Sequence, residues 1–273
     1  MILVNDKQVE FTKFPDGTTS FRFSPHLPPR MFAQPMEPPI FSITWKYDND
    51  EECILLWYLT NHIRENNQRP IIRLSLPYIP NARMDRVKNV DEVFTLKWFA
   101  EFINTLGFDR VLVSDPHSNV STALFDRVCV TDAQSNIRRV LDKLNDKNVL
   151  LCYPDEGAAK RYSSQAGREY VFCIKHRDWR TGKIERLELT SPEKVADRNV
   201  LIVDDICSRG GTFTFTAKAL KEAGANEVYL YVTHCENTIH SGTVLTDGLI
   251  SHVFTTDSIY RCLLYTSPSP RDR

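Results

Sequence analysis

The feature that most constrains the fold of this chain is a regular alternation of short apolar segments with longer amphipathic ones. The apolar segments are rich in Val, Ile and Leu, which is typical of strands buried on both faces of a parallel sheet. They lie at residues 41–45, 71–76, 111–114, 149–152, 171–174, 200–203, 228–232 and 253–256. Strands that alternate with helical stretches in this way predict βαβ units, so the predicted fold class is α/β.

The amphipathic stretches carry the start and stop signals of helices. Asn49 precedes the acidic residues 50–52, which favour a first helical turn because they face the positive end of the helix. Asp91 is placed to begin a second helix that ends at Gly107. A third helix is predicted at residues 133–145, near the middle of the chain, and belongs to either half.

An internal repeat appears when the chain is shifted against itself by 117 residues. The shift brings together five identities, which are Thr95 with Thr212, Ala100 with Ala217, Gly107 with Gly224, Val111 with Val228 and His117 with His234. They span a helix, its glycine stop, a strand and a histidine just past the strand, and the alternative is chance identity over one such unit. We therefore predict two similar α/β halves, residues 1–135 and 136–262.

The charge balance argues against nucleic acid as a partner. The chain has 34 Lys and Arg residues against 35 Asp and Glu residues, a net charge of −1, and no segment carries a basic stripe. No run of about 18 apolar residues and no signal-peptide pattern occurs, so we expect neither a membrane span nor a membrane partner. Seven scattered cysteines without a C-x-x-C pair predict reduced thiols and a cytoplasmic protein.

The last segment, residues 263–273, differs in character from the rest. It holds two Ser-Pro steps and a charged end, and it has no apolar face with which to pack. It also resembles a translated sequencing adapter more than a protein terminus. We therefore expect an unstructured or artefactual tail and predict the fold without it.

The segment VLIVDDICSRGGTF, residues 200–213, is the most informative for chemistry. An apolar strand delivers Asp204 and Asp205 at its carboxyl end, where open α/β sheets bind ligands. Gly210 and Gly211 then lead into a helix near Thr212, and such a loop forms an anion seat suited to a phosphate monoester. Carboxylates beside that seat suit the vicinal hydroxyls of a ribose. The alternative is that the two aspartates only cap the following turn.

This segment resembles the phosphoribosyl-diphosphate binding motif of the type I phosphoribosyltransferase fold. The usual motif has two acidic residues, two variable residues and then Asp-Thr-x-Gly-Thr, so Ser208 and Arg209 stand where Asp and Thr are usual. The resemblance implies two phosphoribosyltransferase-like halves, each a mainly parallel sheet flanked by helices. Arg209 is either a solvated surface residue or a residue whose guanidinium donates two parallel hydrogen bonds to a bulkier phosphate group.

Over about residues 11–260 the chain resembles the ribose-phosphate diphosphokinases. The matching segments are FPDGT at 14–18, PYIPNARMDR at 77–86, DPH at 115–117, YPDEG at 153–157, Lys-x-Arg at 175–177, THCENTIHSG at 233–242 and TTDSI at 255–259. The resemblance implies an ATP site made by Phe14, Asp16, Arg83, Asp85, Arg86 and His117. It also implies His117 and Asp155 at the metal, and the catalytic pair Lys175 and Arg177 on a loop before Gly182.

The resemblance implies transfer of the β,γ-diphosphoryl group of MgATP to the anomeric hydroxyl of ribose 5-phosphate. The products are phosphoribosyl diphosphate and AMP, and the acceptor is held by Asp204, Asp205, Ser208, Arg209, Gly210, Gly211 and Thr212. Mg²⁺ is the expected cofactor, with ATP as co-substrate. The resemblance also implies a homo-oligomer, either a dimer or a hexamer.

Three other functions remain open at this point. One is the same reaction on a larger acceptor such as ADP-ribose in NAD salvage, because Ser208 leaves room and Arg209 can bridge a second phosphate; the Ser-Arg-Gly-Gly-Thr variant resembles the viral or bacteriophage branch of the family. Another is a catalytically silent regulatory homologue, against which the retained Lys175 and Arg177 argue. The third is a phosphoribosyltransferase proper, which would need no ATP segments.

Overall fold

A computed structural model describes residues 1–24, 38–177 and 184–261 of the chain. It divides into two compact units, Met1–Thr131 and Asp132–Arg273. The expected tail at 263–273 and Gly182 lie outside the described residues, and the predicted domain bounds at 1–135 and 136–262 stay a prediction.

The first unit is a six-stranded sheet with three helices and a separate hairpin. Its strands are β1 (Ile2–Val4), β2 (Lys7–Gln8), β3 (Phe11–Lys13), β4 (Thr19–Phe21), β5 (Ile40–Trp45), β6 (Ile71–Leu76), β7 (Arg110–Ser114) and β8 (Val128–Thr131). Its helices are α1 (Glu51–Asn66), α2 (Thr95–Thr105) and α3 (Asn119–Ala123). The sheet order is β2-β1-β5-β6-β7-β8, in which β5 to β8 are parallel, β1 is antiparallel to both neighbours, and β3 pairs with β4 alone.

The second unit is also a six-stranded sheet with three helices. Its strands are β9 (Leu150–Tyr153), β10 (Tyr170–Arg177), β11 (Ile184–Leu189), β12 (Val200–Cys207), β13 (Val228–Cys235) and β14 (His252–Thr255). Its helices are α4 (Gln134–Leu144), α5 (Glu156–Ala166) and α6 (Gly211–Glu222), with short 3₁₀ turns at Pro192–Lys194 and Asn237–Ser241. The sheet order is β11-β10-β9-β12-β13-β14, and only the edge strand β11 is antiparallel to its neighbour.

The predicted α/β class is confirmed, and both sheets contain a run of four parallel strands whose order in the sheet follows their order in the chain, to which β10 adds a fifth parallel strand in the second sheet. The two runs are β5-β6-β7-β8 and β9-β12-β13-β14. The repeated identities fall on corresponding parts of these runs, namely α2 with β7 and α6 with β13. The described chain therefore contains the same βα arrangement twice.

Burial differs between the two sheets and corrects one expectation. All four residues of β9 and the first four of β12 are buried, as predicted for strands covered on both faces. In β5 and β6, however, buried residues alternate with accessible ones. The reason is chemical, since the alternate positions of these strands hold polar residues such as Ser42 and Arg73, which cannot be buried without partners.

The predicted helix after Asp91 begins later than expected. α2 starts at Thr95 because the preceding residues form a turn of their own. The carboxylate of Glu92 accepts hydrogen bonds from the backbone N–H of Lys88 at 2.8 Å and from the side-chain amide of Asn89 at 2.9 Å. Glu92 therefore stabilises a turn in front of the helix instead of capping its first turn.

Candidate active site

The loop after β12 is fixed in shape by two glycines. Gly210 has φ +79°, and a Cβ added there would lie 2.1 Å from Cγ2 of Val244. A Cβ added at Gly242 would lie 1.8 Å from the carbonyl oxygen of Arg209. No other residue fits at either position without moving its neighbours. The loop is thus clamped between the start of α6 and the segment that follows β13.

The start of α6 gives this loop the character of an anion seat. Gly210 is the N-cap, and its carbonyl accepts from the N–H groups of Phe213 at 2.9 Å and Thr214 at 3.0 Å. The first amides of a helix face away from its body and carry about half a positive charge. A phosphate placed against residues 208–212 would meet these amides.

The two adjacent carboxylates at the end of β12 have different surroundings. Asp205 is only 2% exposed, and its Oδ1 lies 3.1 Å from Nη1 of Arg161. Asp204 is half-buried and accepts a hydrogen bond from the N–H of Asp205 at 3.0 Å. Burial, followed by the negative charges of Asp205 and Asp155, raises the pKa of Asp204 well above its ordinary value. Asp205 therefore forms a direct ion pair with Arg161, and the interaction of Arg161 with Asp204 is the weaker of the two.

Arg161 is a site residue that the sequence analysis missed. It lies on α5, and its guanidinium carbon is 5.4 Å from the ring centroid of Tyr162. Burial lowers the pKa of Arg161, but the charge of Asp205 and the neighbouring Tyr162 outweigh it and the pKa is raised. The residue stays a cation and fixes Asp205. The available signal was its place on the helix that follows β9, because β9 is the sheet neighbour of β12.

Asp155 lies at the end of β9 and caps α5. Its side chain accepts from the N–H of Ala158 at 2.9 Å, and its charge contributes to the raised pKa of Asp204. Within the described ranges no group of three or more His, Cys, Asp or Glu side chains is arranged to hold a metal. Magnesium at phosphate sites commonly uses only one or two carboxylates together with substrate oxygens. The carboxylate oxygens of Asp155 are therefore of the kind that Mg²⁺ prefers.

A third carboxylate, Glu236, lies beside the loop and was also missed. The hydroxyl of Ser208 donates a hydrogen bond to Oε2 of Glu236, and the hydroxyl of Thr238 donates to the same oxygen at 3.1 Å. The sequence analysis expected Ser208 to leave the loop one carboxylate short. The structure corrects this expectation, because Glu236 supplies a carboxylate from the end of the neighbouring strand, while the side chain of Arg209 is exposed.

In the first unit, the structure brings three of the predicted ATP-binding residues together. Asp85 is 8% exposed, and its Oδ1 is 3.0 Å from Nε of Arg86. Burial raises the pKa of Asp85, but hydrogen bonds from Arg86 and Ser118 and the charges of Arg86 and His117 lower it overall. Asp85 is therefore an anion that orients Arg86, whose side chain is 72% exposed. Arg83 is exposed on the same connection.

Phe14 and Asp16 lie in the turn between β3 and β4. Phe14 is 56% exposed, and the carboxylate of Asp16 accepts from the hydroxyl of Thr18 at 2.7 Å and from its N–H at 2.9 Å. These hydrogen bonds lower the pKa of Asp16. The turn thus presents an aromatic ring to solvent on a rigid hairpin, and its role in binding ATP stays a prediction.

Lys175 and Arg177 lie in a strand, which corrects their expected place on a loop. Both belong to β10, where Lys175 pairs with Leu187 and Arg177 with Ile184 of the antiparallel β11. The register shifts between His176 and Arg177. β11 was not predicted because its sequence IERLEL has three charged residues among six and no continuous run of Val, Ile and Leu. The catalytic role of the pair stays a prediction.

Comparison with known proteins gives a family match in the second unit and relatives that match most of the chain. Residues 130–261 match the phosphoribosyl transferase domain family. The chain is 27% identical over 258 residues to a ribose-phosphate pyrophosphokinase of Sulfurisphaera tokodaii, covering 92% of this chain and 84% of that protein. It is 31% identical over 220 residues to the ribose-phosphate pyrophosphokinase of Rhizobium meliloti, covering 78% of this chain and 69% of that protein.

A solved structure shares the fold. Phosphoribosylpyrophosphate synthetase from Mycobacterium smegmatis matches with a TM-score of 0.71 at 19% identity, covering 92% of this chain and 80% of that one. Across the part of the chain that the structure describes, no helix is both long and apolar enough to cross a membrane.

Proposed function

The chain belongs to the ribose-phosphate pyrophosphokinase family, and on this basis we propose that it transfers the β,γ-diphosphoryl group of MgATP to the anomeric hydroxyl of ribose 5-phosphate. The products are phosphoribosyl diphosphate and AMP. Family membership confirms the sequence-based prediction of a ribose-phosphate diphosphokinase. The observation that carries the proposed chemistry is the clamped loop at residues 208–212 with Asp204 and Asp205 beside it.

The second unit supplies the acceptor end of the reaction. The amides at the start of α6 would bind the 5-phosphate, and the carboxylate of Asp204 would accept hydrogen bonds from the ribose hydroxyls. Arg161 keeps Asp205 in place, which leaves Asp204 as the more adaptable carboxylate of the pair. These contacts would fix the sugar and so orient its anomeric hydroxyl for attack on the β-phosphorus.

The first unit would supply the ATP end. Arg86 is held at its base by Asp85 and keeps most of its guanidinium in solvent, as a group that grips phosphate oxygens requires. His117 lies within electrostatic reach of Asp85, and Phe14 offers an exposed ring suited to stacking on a base. Arg83 and Asp16 complete the proposed ATP site.

Charge neutralisation completes the proposed mechanism. Transfer of a diphosphoryl group spreads negative charge over non-bridging oxygens, which positioned cations stabilise. We assign that role to Lys175 and Arg177 of β10. Bound Mg²⁺ would neutralise phosphate charge, and the proposed ligand in the second unit is Asp155, whose oxygen donors fit. The sequence-based assignment of His117, in the first unit, as a metal ligand stays a prediction.

Incubation with MgATP and ribose 5-phosphate tests the proposed function. Mass spectrometry should find AMP and a diphosphorylated ribose in equal amounts. Formation of ADP instead of AMP would exclude the proposed reaction, and formation of no nucleotide product would favour the silent regulatory homologue. Omission of Mg²⁺ should abolish product formation.

The larger acceptor ADP-ribose is the second candidate. The observation in its favour is the exposed side chain of Arg209 beside the small Ser208 at the phosphate loop. Running the same assay with ADP-ribose decides between the two acceptors. Arg209→Thr should lower activity on ADP-ribose more than on ribose 5-phosphate if Arg209 binds the second phosphate.

We further propose a homo-oligomer in the cytoplasm. Ile54, Trp57 and Tyr58 of α1 are spaced three and four residues apart and are each about half exposed, which supports a contact between copies. Six cysteines of the described ranges are free thiols, which supports a reducing compartment. Sedimentation of the purified protein tests the oligomer.

A further inference from the structure

The carboxylate of Glu236 is built into the wall of the phosphate loop. β12 and β13 run parallel with Cys207 opposite Cys235, so the residues that follow, Ser208 and Glu236, leave the sheet side by side. The N–H of Glu236 donates to the carbonyl of Cys207 at 2.8 Å, which ties the two strand ends together. The position of Glu236 is therefore set by the sheet rather than by a flexible loop.

The hydrogen bonds at Glu236 determine what Ser208 can offer a ligand. A serine hydroxyl has one proton, and that of Ser208 is donated to Glu236. While this bond holds, Ser208 cannot donate to a phosphate oxygen. Thr238 donates to the same carboxylate oxygen, so two hydroxyls hold the side chain of Glu236 in position.

The charges around the loop are consequently mixed. Glu236 and Asp204 lie on its sheet side, and Arg209 is the cation carried by the loop itself. Both carboxylates contribute to the raised pKa of Cys207, after its hydrogen bond to Cys235 and its burial, so both act at the end of β12. Because Arg209 is exposed, water screens it more than the half-buried Glu236.

We propose that Glu236 is a specificity-determining residue that sets the charge preference of the acceptor seat. It disfavours a phosphate with two negative charges relative to a phosphate with one. Coulomb repulsion scales with charge, so a 5-phosphate monoester dianion is repelled about twice as strongly as a singly charged phosphate diester. The effect is relative, because the penalty on ribose 5-phosphate exceeds the penalty on a ribose whose 5-phosphate is esterified. The inference rests on the proposed function, which makes residues 208–212 the phosphate seat.

The test separates the charge of Glu236 from its hydrogen bonds. Glu236→Gln keeps an oxygen that accepts from Ser208 and Thr238 but loses the charge. Ribose 5-phosphate and its monomethyl phosphate ester are titrated at pH 8, where the monoester is a dianion and the methyl ester a monoanion. Glu236→Gln should tighten the monoester roughly tenfold and the methyl ester only about threefold.

A matched control variant removes the same charge elsewhere. Glu222→Gln changes an exposed residue at the far end of α6, about 16 Å along the helix from Gly211. It should alter neither affinity. The double variant Ser208→Asp with Glu236→Gln returns a carboxylate to the loop and should restore the wild-type ratio of the two affinities.

Equal shifts for both ligands in Glu236→Gln, or no shift, would overturn the proposal. If Glu236→Gln does not melt cooperatively, Glu236→Thr loses the same charge and must show the same unequal shifts. The titrations need no turnover, so they decide on Glu236 even if the wild type forms no AMP. Absence of AMP with either acceptor would count against the proposed function alone.

Discussion

The two units differ in the connection that follows corresponding strands of their sheets. β6 and β12 are each the second of four sequential parallel strands, and each leads to a helix. In the second unit the connection is residues 208–210, whereas in the first it is residues 77–94. The short connection brings the helix N-terminus close to the strand end, so that backbone amides are the proposed phosphate-binding groups. The long connection carries Arg83, Asp85 and Arg86, so that side chains are the proposed phosphate-binding groups there.

This difference indicates how two copies of one βα arrangement can differ in the phosphate group that each binds, a single phosphate in one and a polyphosphate in the other. The backbone of this seat of amides is closely packed, because neither Gly210 nor Gly242 has room for a side chain. Arginine side chains on a long connection are oriented by single contacts such as Asp85 with Arg86. The rigid seat suits one small phosphate, and the adaptable connection suits a polyphosphate.

The largest expected effect is a loss of turnover when the cations of β10, Lys175 and Arg177, are removed. Lys175→Ala and Arg177→Ala should each lower turnover roughly 100-fold or more with little change in ATP affinity, because the cations act mainly in the transition state. Steady-state rates with titrated ATP measure both quantities. A variant with wild-type turnover would remove that residue from the proposed catalytic pair.

The rigidity of the short connection predicts the next largest effect. Gly210→Ala adds a Cβ 2.1 Å from Val244 at φ +79°, so the loop must move and acceptor affinity should fall roughly 30-fold. Gly248→Ala is the control, since Gly248 has φ +71° but an added Cβ meets nothing within 4 Å. Equal affinities in both variants would show that the shape of the loop does not matter for binding.

The ion pair beneath the acceptor site predicts a smaller effect on stability. Arg161→Gln leaves the buried Asp205 without its cation and should lower the unfolding free energy by roughly 2 kcal/mol. Lys160→Gln is matched, because the neighbouring Lys160 pairs with Glu156 on the surface, where such pairs contribute little. Thermal melting compares the two variants. Similar melting temperatures would mean that Arg161 is not a buried counter-ion.

The smallest effect is expected at the chain end. Deleting residues 264–273 should leave melting temperature and activity nearly unchanged if this segment has no packed contacts. A fall of several degrees would show that it is docked.

The sequence predicted eight of the fourteen described strands and the loop at 204–212, because periodic burial and glycine spacing are local signals. It missed β1, β2, β3, β4, β8 and β11, which are all four residues long or shorter except the edge strand β11. It also missed Glu236 and Arg161, because their partners lie far away in the chain, 28 residues from Ser208 to Glu236 and 44 (205 − 161) from Arg161 to Asp205. Such pairs become visible only when the strand order places β12 between β9 and β13.

We propose that the connection after β12 binds the ribose and the connection after β6 binds ATP. This assignment is tested most directly by titrating one variant of each unit with both ligands. Asp204→Asn and Arg86→Gln are each titrated with ribose 5-phosphate and with a non-hydrolysable ATP analogue in the presence of Mg²⁺. Asp204→Asn should weaken the ribose roughly tenfold and leave the ATP analogue unchanged, and Arg86→Gln should do the reverse. Weaker binding of only the ATP analogue to Asp204→Asn, or equal losses of both ligands in both variants, would contradict two separate seats.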